Sequence, residues 1–235
     1  MSNLDLWNSV EKTDPAFTKK AKKGAYQFTS IAPMYQFKEA TKAFGPQGIG
    51  WGVVPESEKF GETTYGTTVI LSYDAVLFYM YKGQRGEIPI HASEKSCYQT
   101  QGANGYMKID DEARKKVVTD AKTKGLSEIG FCADVFMGQF DDPNYVDYRN
   151  LEEGINKSEN KEEEIKEKIE ELNEWCRKEI TVYASLRDER TLATILAGHL
   201  GKLQNRSRLL NVNYEAYASQ FKKAHDEQLS KVKGK

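Results

Sequence analysis

TTVILSYDAVLFYMYKGQRGEIPIHAS, residues 67–93, decides the fold class. Val69, Ile70, Val76 and the rings of Tyr73, Phe78, Tyr79 and Tyr81 suit a pleated strand better than a helix, because branched and aromatic side chains lose χ1 freedom against a preceding helical turn. Thr67 to Tyr81 therefore reads as a strand, KGQRG as a turn, and EIPIHAS as the strand returning beside it. The result is an antiparallel meander.

Upstream, FGPQGIGW (44–51) cannot continue a helix, since Gly45, Pro46, Gly48 and Gly50 break it, and Trp51 to Pro55 begins the next strand. Before that break, Met34 to Phe44 reads as a helix. Phe37, Ala40, Ala43 and Phe44 recur at helical spacing, and Pro33 suits the helix start. Ala25 to Ile31 reads as a short strand. Downstream, ARKKVVTDAKTKGLSEIG (113–130) reads as a helix with Asp110 as its N-cap and Asp111 and Glu112 at its positive end. At 100° per residue Val117, Val118, Ala121, Gly125 and Ile129 share the arc that faces the sheet. The predicted order is strand, helix, three-strand meander, helix.

Near residue 150 the composition changes from Gly, Tyr, Phe and β-branched residues to Glu, Lys and Leu. We therefore read an α+β domain over residues 1–150 and an α-helical region over 151–235. In the second part Ile165, Ile169, Leu172, Cys176, Ile180 and Tyr183 form one apolar stripe. Leu192, Ile195, Leu196, Leu200 and Leu203 form a second, and Tyr214, Tyr217 and Phe221 begin a third. A helical hairpin packed on its neighbours is the plainer reading of this tail. The sharper one is a docking surface for a single-strand binding protein or an exonuclease. Arg206 and Arg208 with Lys202 are read either as a solvated helix end or as added DNA contacts.

The balance of 34 basic and 35 acidic residues, net charge -1, argues against a generally basic coat, so any polyanion site must be a local patch. Cys97, Cys132 and Cys176 lack paired spacing and fit buried thiols in a reducing compartment. His91 in its strand and His199 on an apolar helical face read as packing residues. Asp141 and Asp142 precede a proline and read as a turn or helix cap rather than a metal pair. No GxxxxGK[ST] loop is present, so we expect no nucleotide cofactor, no metal and no enzymatic chemistry. The opening MSNLDLWNSVEKTD has acids and no apolar leader core, and no run approaches the roughly 18 apolar residues of a spanning helix. We expect a cytoplasmic protein with no membrane partner.

Two basic clusters are candidate sites. The helix carries Arg114, Lys115, Lys116, Lys122 and Lys124, with Thr119 and Thr123 on its polar side, and phosphate oxygens accept from both group types. TKKAKKGAYQF places Lys19, Lys20, Lys22 and Lys23 just before a strand bearing Tyr26 and Phe28. Lysines interleaved with aromatics suit a single-strand groove, where rings stack on bases for about 1–3 kcal/mol each. The plainer alternatives are a solvated basic turn and a solvated helix face.

YQFKEATKAFGPQGIGW, a long aromatic β-stretch, and DDEARKKVVTDAKTKGLSEIGFCADVFMGQFDD follow one another in an order that resembles the annealing domain of the Rad fifty-two-type single-strand annealing proteins, including their phage recombination members. The resemblance spans roughly residues 15–148 and rests most on Ala40, Phe44, Gly45, Gly48 and Trp51, and on Glu112, Ala113, Arg114, Lys115, Val118, Thr119, Asp120, Leu126 and Gly130. It implies an ATP-independent protein that binds single-stranded DNA in a homo-oligomeric ring or helical assembly and anneals complementary strands during recombination. The DNA would lie in a basic groove with its bases outward. A phage-encoded member would act in its bacterial host's cytoplasm. Lys20 falls near a groove-lining position of the family, and Arg114 and Lys115 match its basic positions. Where the family often has two adjacent basic residues this chain has Thr123 and Lys124, with Lys122 two positions before Lys124. Readings from other classes are a structural assembly protein without DNA affinity and an RNA or double-strand binder.

Overall fold

The structure is a computed structural model and describes residues 2–23, 25–102 and 104–234; the side chains of Lys23 and Tyr26 lie outside the described part. The chain folds into two compact units that divide between Gly138 and Gln139. The class is α+β, with the strands in the first unit and long helices in the second. The division falls before residue 150 because Pro143–Lys157 is one continuous helix running through that position.

The first unit runs α1 (Asp5–Val10), β1 (Thr18–Lys23), β2 (Tyr26–Ile31), α2 (Pro33–Phe44), β3 (Trp51–Val53), β4 (Lys59–Tyr65), β5 (Thr68–Tyr81), β6 (Gln84–Gln99), β7 (Met107–Ile109), α3 (Ala113–Glu128) and α4 (Ala133–Phe136). β1 and β2 form a separate two-stranded hairpin, and the other strands make a five-stranded sheet in which β3 and β4 both pair with β5, β5 with β6, and β6 with β7. β5 and β6 turn through Lys82 and Gly83 alone, both at positive φ (50° and 77°). That geometry matches the right-handed twist of the flanking strands. β6 consequently starts earlier than expected, at Gln84.

The structure departs from the sequence reading in three places. Lys19–Lys23, placed just before the first strand with a solvated basic turn as the plainer alternative, is itself strand β1, because β2 supplies a partner through the register Lys20↔Thr29 and Lys22↔Gln27. The polar strand β4, KFGETTY, was missed because its side chains are mostly exposed and show no apolar alternation. Asp110 does not cap α3. The helix begins after Glu112, and the Asp110 carboxylate instead accepts from the Glu112 N–H (3.2 Å) and from Lys116 (2.6 Å).

The predicted apolar arc of α3 packs on the sheet: Val117 and Ala121 are buried with Leu77 and Ile90, and Val118 and Ile129 are half-buried around them. The glycine loop after α2 brings Trp51 into this core, where it is fully buried and its Nε1–H donates to Thr41 Oγ1 (3.2 Å). Gly50 allows the close approach, since a Cβ there would stand 1.8 Å from the Phe44 carbonyl oxygen. His91, expected to pack, is exposed. Ile90 and Ala92 take the inward positions of β6, so the alternating pleat turns His91 outward.

The second unit holds α5 (Pro143–Lys157), α6 (Lys161–Val182), α7 (Glu189–Leu210) and α8 (Tyr214–Lys233). Asp142 caps α5 as expected, its Oδ1 accepting from the Asn144 N–H at 2.9 Å. Leu172, Cys176, Tyr183, Leu192, Leu203 and Phe221, drawn from all three apolar stripes, meet in one core. Arg206 and Lys202 are held within this unit: both bond Asp147 of α5, and both lie over the Trp175 ring. Burial would raise the Asp147 pKa, but Arg206 and Lys202 outweigh it and keep the carboxyl below its usual range. Cys132 and Cys176 are buried and Cys97 half-buried. Among the described residues no helix is long and apolar enough to cross a membrane.

Candidate nucleic-acid interface

The first unit contains an open cleft of about 710 Å³ between the end of β2 and the polar side of α3. One wall is Phe28 to Ile31 with Pro33 and Gln36 of α2; the other is Lys115, Lys116, Thr119, Thr123 and Lys124, and Val135 and Phe136 of α4 also line it. The helix periodicity explains the second wall, because positions three and four apart share a face. The hairpin is closed at its base by the Ala32 N–H, which donates to the Phe17 carbonyl (2.9 Å), and the Phe17 ring just before β1 stacks 4.5 Å from Tyr35 of α2. The cleft wall on the β2 side is thus carried by packed elements.

The cleft lysines are engaged by carboxylates. Lys115 lies 3.0 Å from Glu112, Lys116 2.6 Å from Asp110, and Lys124 2.7 Å from Asp120. The hydrogen bond from Lys116 holds the Asp110 carboxyl below the usual range and raises the lysine in turn. All three lysines are more than two-fifths exposed, at 77%, 48% and 55%, and the Glu112 and Asp120 carboxylates are exposed as well, so those two solvated pairs contribute little. A phosphate can therefore replace Glu112 at Lys115 and Asp120 at Lys124 at small cost, whereas Asp110 is 14% exposed and holds Lys116 through both its oxygens. The threonines differ from expectation: Thr119 Oγ1 donates to the Lys115 carbonyl and Thr123 Oγ1 to the Asp120 carbonyl, both at 2.9 Å. They must rotate before they can donate to a phosphate.

The structure brings Phe28, Lys115, Lys116 and Lys124 to one cleft and separates the other candidates. Lys19, Lys20 and Lys22 are exposed on β1, which is the strand beyond β2, and Lys20 Nζ donates to Thr29 Oγ1 at 2.9 Å. Lys19 and Lys22 make no ion pair among the described residues. The register puts Lys19 on the face of the hairpin that carries Phe28 and Ser30, and Lys20 and Lys22 on the opposite face. Of the remaining hairpin candidates, the side chains of Lys23 and Tyr26 lie outside the described residues.

Arg114 belongs to a different depression, lined by Phe60, Glu62, Asp110 and Asp111, with its guanidinium 4.1 Å from the Phe60 ring centroid. The reason was present in the sequence: Arg114 stands three, four and seven positions before Val117, Val118 and Ala121, on the arc that faces the sheet. Lys122 is half-buried with Nζ 5.0 Å from the Phe37 ring centroid, and burial lowers its pKa while Glu58 opposes the shift. It packs α3 against α2 rather than lining the cleft. Residue spacing did not reveal Ser30, Gln36 or Phe136, which come to the cleft from three different elements.

Compared with known proteins, the chain matches no family model and no curated sequence.

Proposed function

We propose that this protein binds single-stranded DNA without ATP and anneals complementary strands, acting as a homo-oligomer. The observation that carries the reading is the cleft itself, in which Lys115, Lys116 and Lys124 face Phe28 across from a hairpin bearing Lys19, Lys20 and Lys22. Ammonium groups on one side and an aromatic ring on the other match the two parts of a single strand, its phosphates and its bases. The resemblance to the Rad fifty-two-type annealing domain supports the same reading.

The mechanism requires no bond-making residue. Two strands repel through their phosphates, and a nucleus of a few base pairs is unstable. A basic groove that holds one strand extended lowers both barriers, and base pairing then supplies the driving energy. Self-association has a physical basis in the sheet: among the described residues β6 is bordered on its outer side only at Cys97–Gln99, and β7 carries Met107 and Ile109 at 46% and 76% exposure. Open edges of this kind are templates for pairing with another chain. The same edges favour a second reading, in which the assembly itself is the product and DNA is not bound.

The deciding experiment is annealing of complementary oligonucleotides without ATP or metal, comparing the wild type with Lys115→Ala, Lys116→Ala and Lys124→Ala. The proposal expects acceleration over spontaneous pairing and slower annealing by each variant. A wild type that gives no acceleration and no single-strand affinity, while still forming oligomers, establishes the assembly reading instead.

A further inference from the structure

We infer that the cleft is a nucleobase pocket as well as a phosphate rail: one base of each bound stretch turns inward and is held by Gln36, Ser30 and Phe136. This rests on the single-strand reading above and adds the part of the ligand that the cleft recognises. Gln36 is 99% buried, at 1% exposure. Its Nε2–H donates to the Phe131 carbonyl at 3.0 Å, which fixes the amide so that Oε1 can only accept. That Oε1 and the Ser30 hydroxyl oxygen are both buried without a hydrogen-bond partner, and both residues line the cleft.

Leaving such an atom unpaired costs about 1–3 kcal/mol, so a group in the cleft gains by pairing with it once a small shift of the covering side chains opens the way to these two buried atoms. A phosphate cannot complete Gln36, because an ionised phosphate offers only acceptors. A nucleobase can. Every base carries at least one N–H for an acceptor and at least one acceptor for a hydroxyl, so this pair of groups holds a base without choosing among the four. The neighbouring walls are apolar or aromatic: Phe28, Ile31, Pro33, Val135 and Phe136, the last 55% exposed and available to stack. The cleft volume falls within the roughly 300–1,000 Å³ of small-molecule sites. Lys115 and Lys124 on the opposite wall then take the flanking phosphates, and the other bases remain outward for pairing.

The test compares the full chain's affinity for an oligonucleotide with that for an abasic strand of equal length, which keeps every phosphate. The intact strand should bind about tenfold or more tightly, with the same dependence on salt. Phe136→Ala and Ser30→Ala should each weaken the intact strand several-fold and leave the abasic strand unchanged. Both variants alter positions that tolerate truncation better than Gln36, and Gln36→Met, scored only if it retains wild-type affinity for the abasic strand, should lose about tenfold on the intact strand. Equal affinity for the two strands, or variants that weaken both strands alike, would overturn the pocket while leaving the DNA-binding reading intact. Displacement of the strand by an equal concentration of a deoxynucleoside monophosphate would also overturn it, by assigning the pocket to a free nucleotide. Binding of neither strand would remove both proposals.

Discussion

Lys124 Nζ lies 2.7 Å from the Asp120 carboxylate one helical turn earlier, and both residues line the cleft. On the proposed single-strand reading, the lysine would exchange one anion for another. Asp120→Asn removes the resident competitor and should raise single-strand affinity about two- to fivefold, most at low salt. Fluorescence anisotropy titration measures this; a variant that binds no better than wild type shows that Lys124 takes no phosphate.

The separation of Arg114 from its neighbours predicts different salt behaviour. Each of Lys115→Ala and Lys116→Ala should make the slope of log affinity against log salt shallower by about 0.7, the value for one single-strand phosphate contact. Arg114→Ala should leave the slope unchanged, because its guanidinium covers Phe60 outside the cleft. An Arg114→Ala slope change equal to that of Lys115→Ala would place the strand across the other depression.

Gly125 sits in α3, where helix propensity alone favours alanine by about 1 kcal/mol. Its Cβ would stand 2.4 Å from Ile90 Cγ2, so either Ile90 or the helix would have to shift. Overpacking of this kind costs about 1–3 kcal/mol and should outweigh the propensity gain. Hydrogen exchange at β5 and β6 amides should therefore show a net fall in opening free energy for Gly125→Ala. Increased protection would mean that Ile90 relaxes freely.

In the helical unit, the His199 ring has its Nδ1 3.0 Å from Tyr183 Oη and its Nε2 3.4 Å from the Glu179 carboxylate, with Trp175 and Phe221 against it. Burial lowers its pKa, Glu179 opposes the shift and Lys202 reinforces it. The unfolded chain takes this proton near pH 6.5, the folded one only at lower pH. The associated stability is therefore complete above about pH 6.5 and is lost as pH falls through the folded value. NMR titration of the ring should give a midpoint below 6.5, and His199→Gln should flatten the decline in the unit's melting temperature over that interval. A ring titrating above 6.5 would show that Glu179 dominates.

Much of the fold was legible because it depends on local periodicity. The β-branched and aromatic run of β5 with its turn into β6, the apolar stripes of α6, α7 and α8 and the glycine break before Trp51 each express a constraint that near neighbours in sequence impose on one another. β1 and β4 were not legible in this way. Their residues show no apolar alternation, and what makes them strands is the partner strand that accepts their backbone hydrogen bonds.

The candidate site divides along the same line. The sequence by itself determined that α3 carries a lysine-rich face opposite an apolar one, since a 3.6-residue period sorts side chains without reference to the rest of the chain. Only the tertiary structure decided which lysines share a cavity with Phe28, that Lys122 and Arg114 are spent on Phe37 and Phe60, and that Gln36 and Ser30 bring unpaired polar atoms to the same cleft. Gln36 and Phe131 are 95 positions apart, and a contact across that separation follows from how the helices and the hairpin pack, which no local pattern encodes.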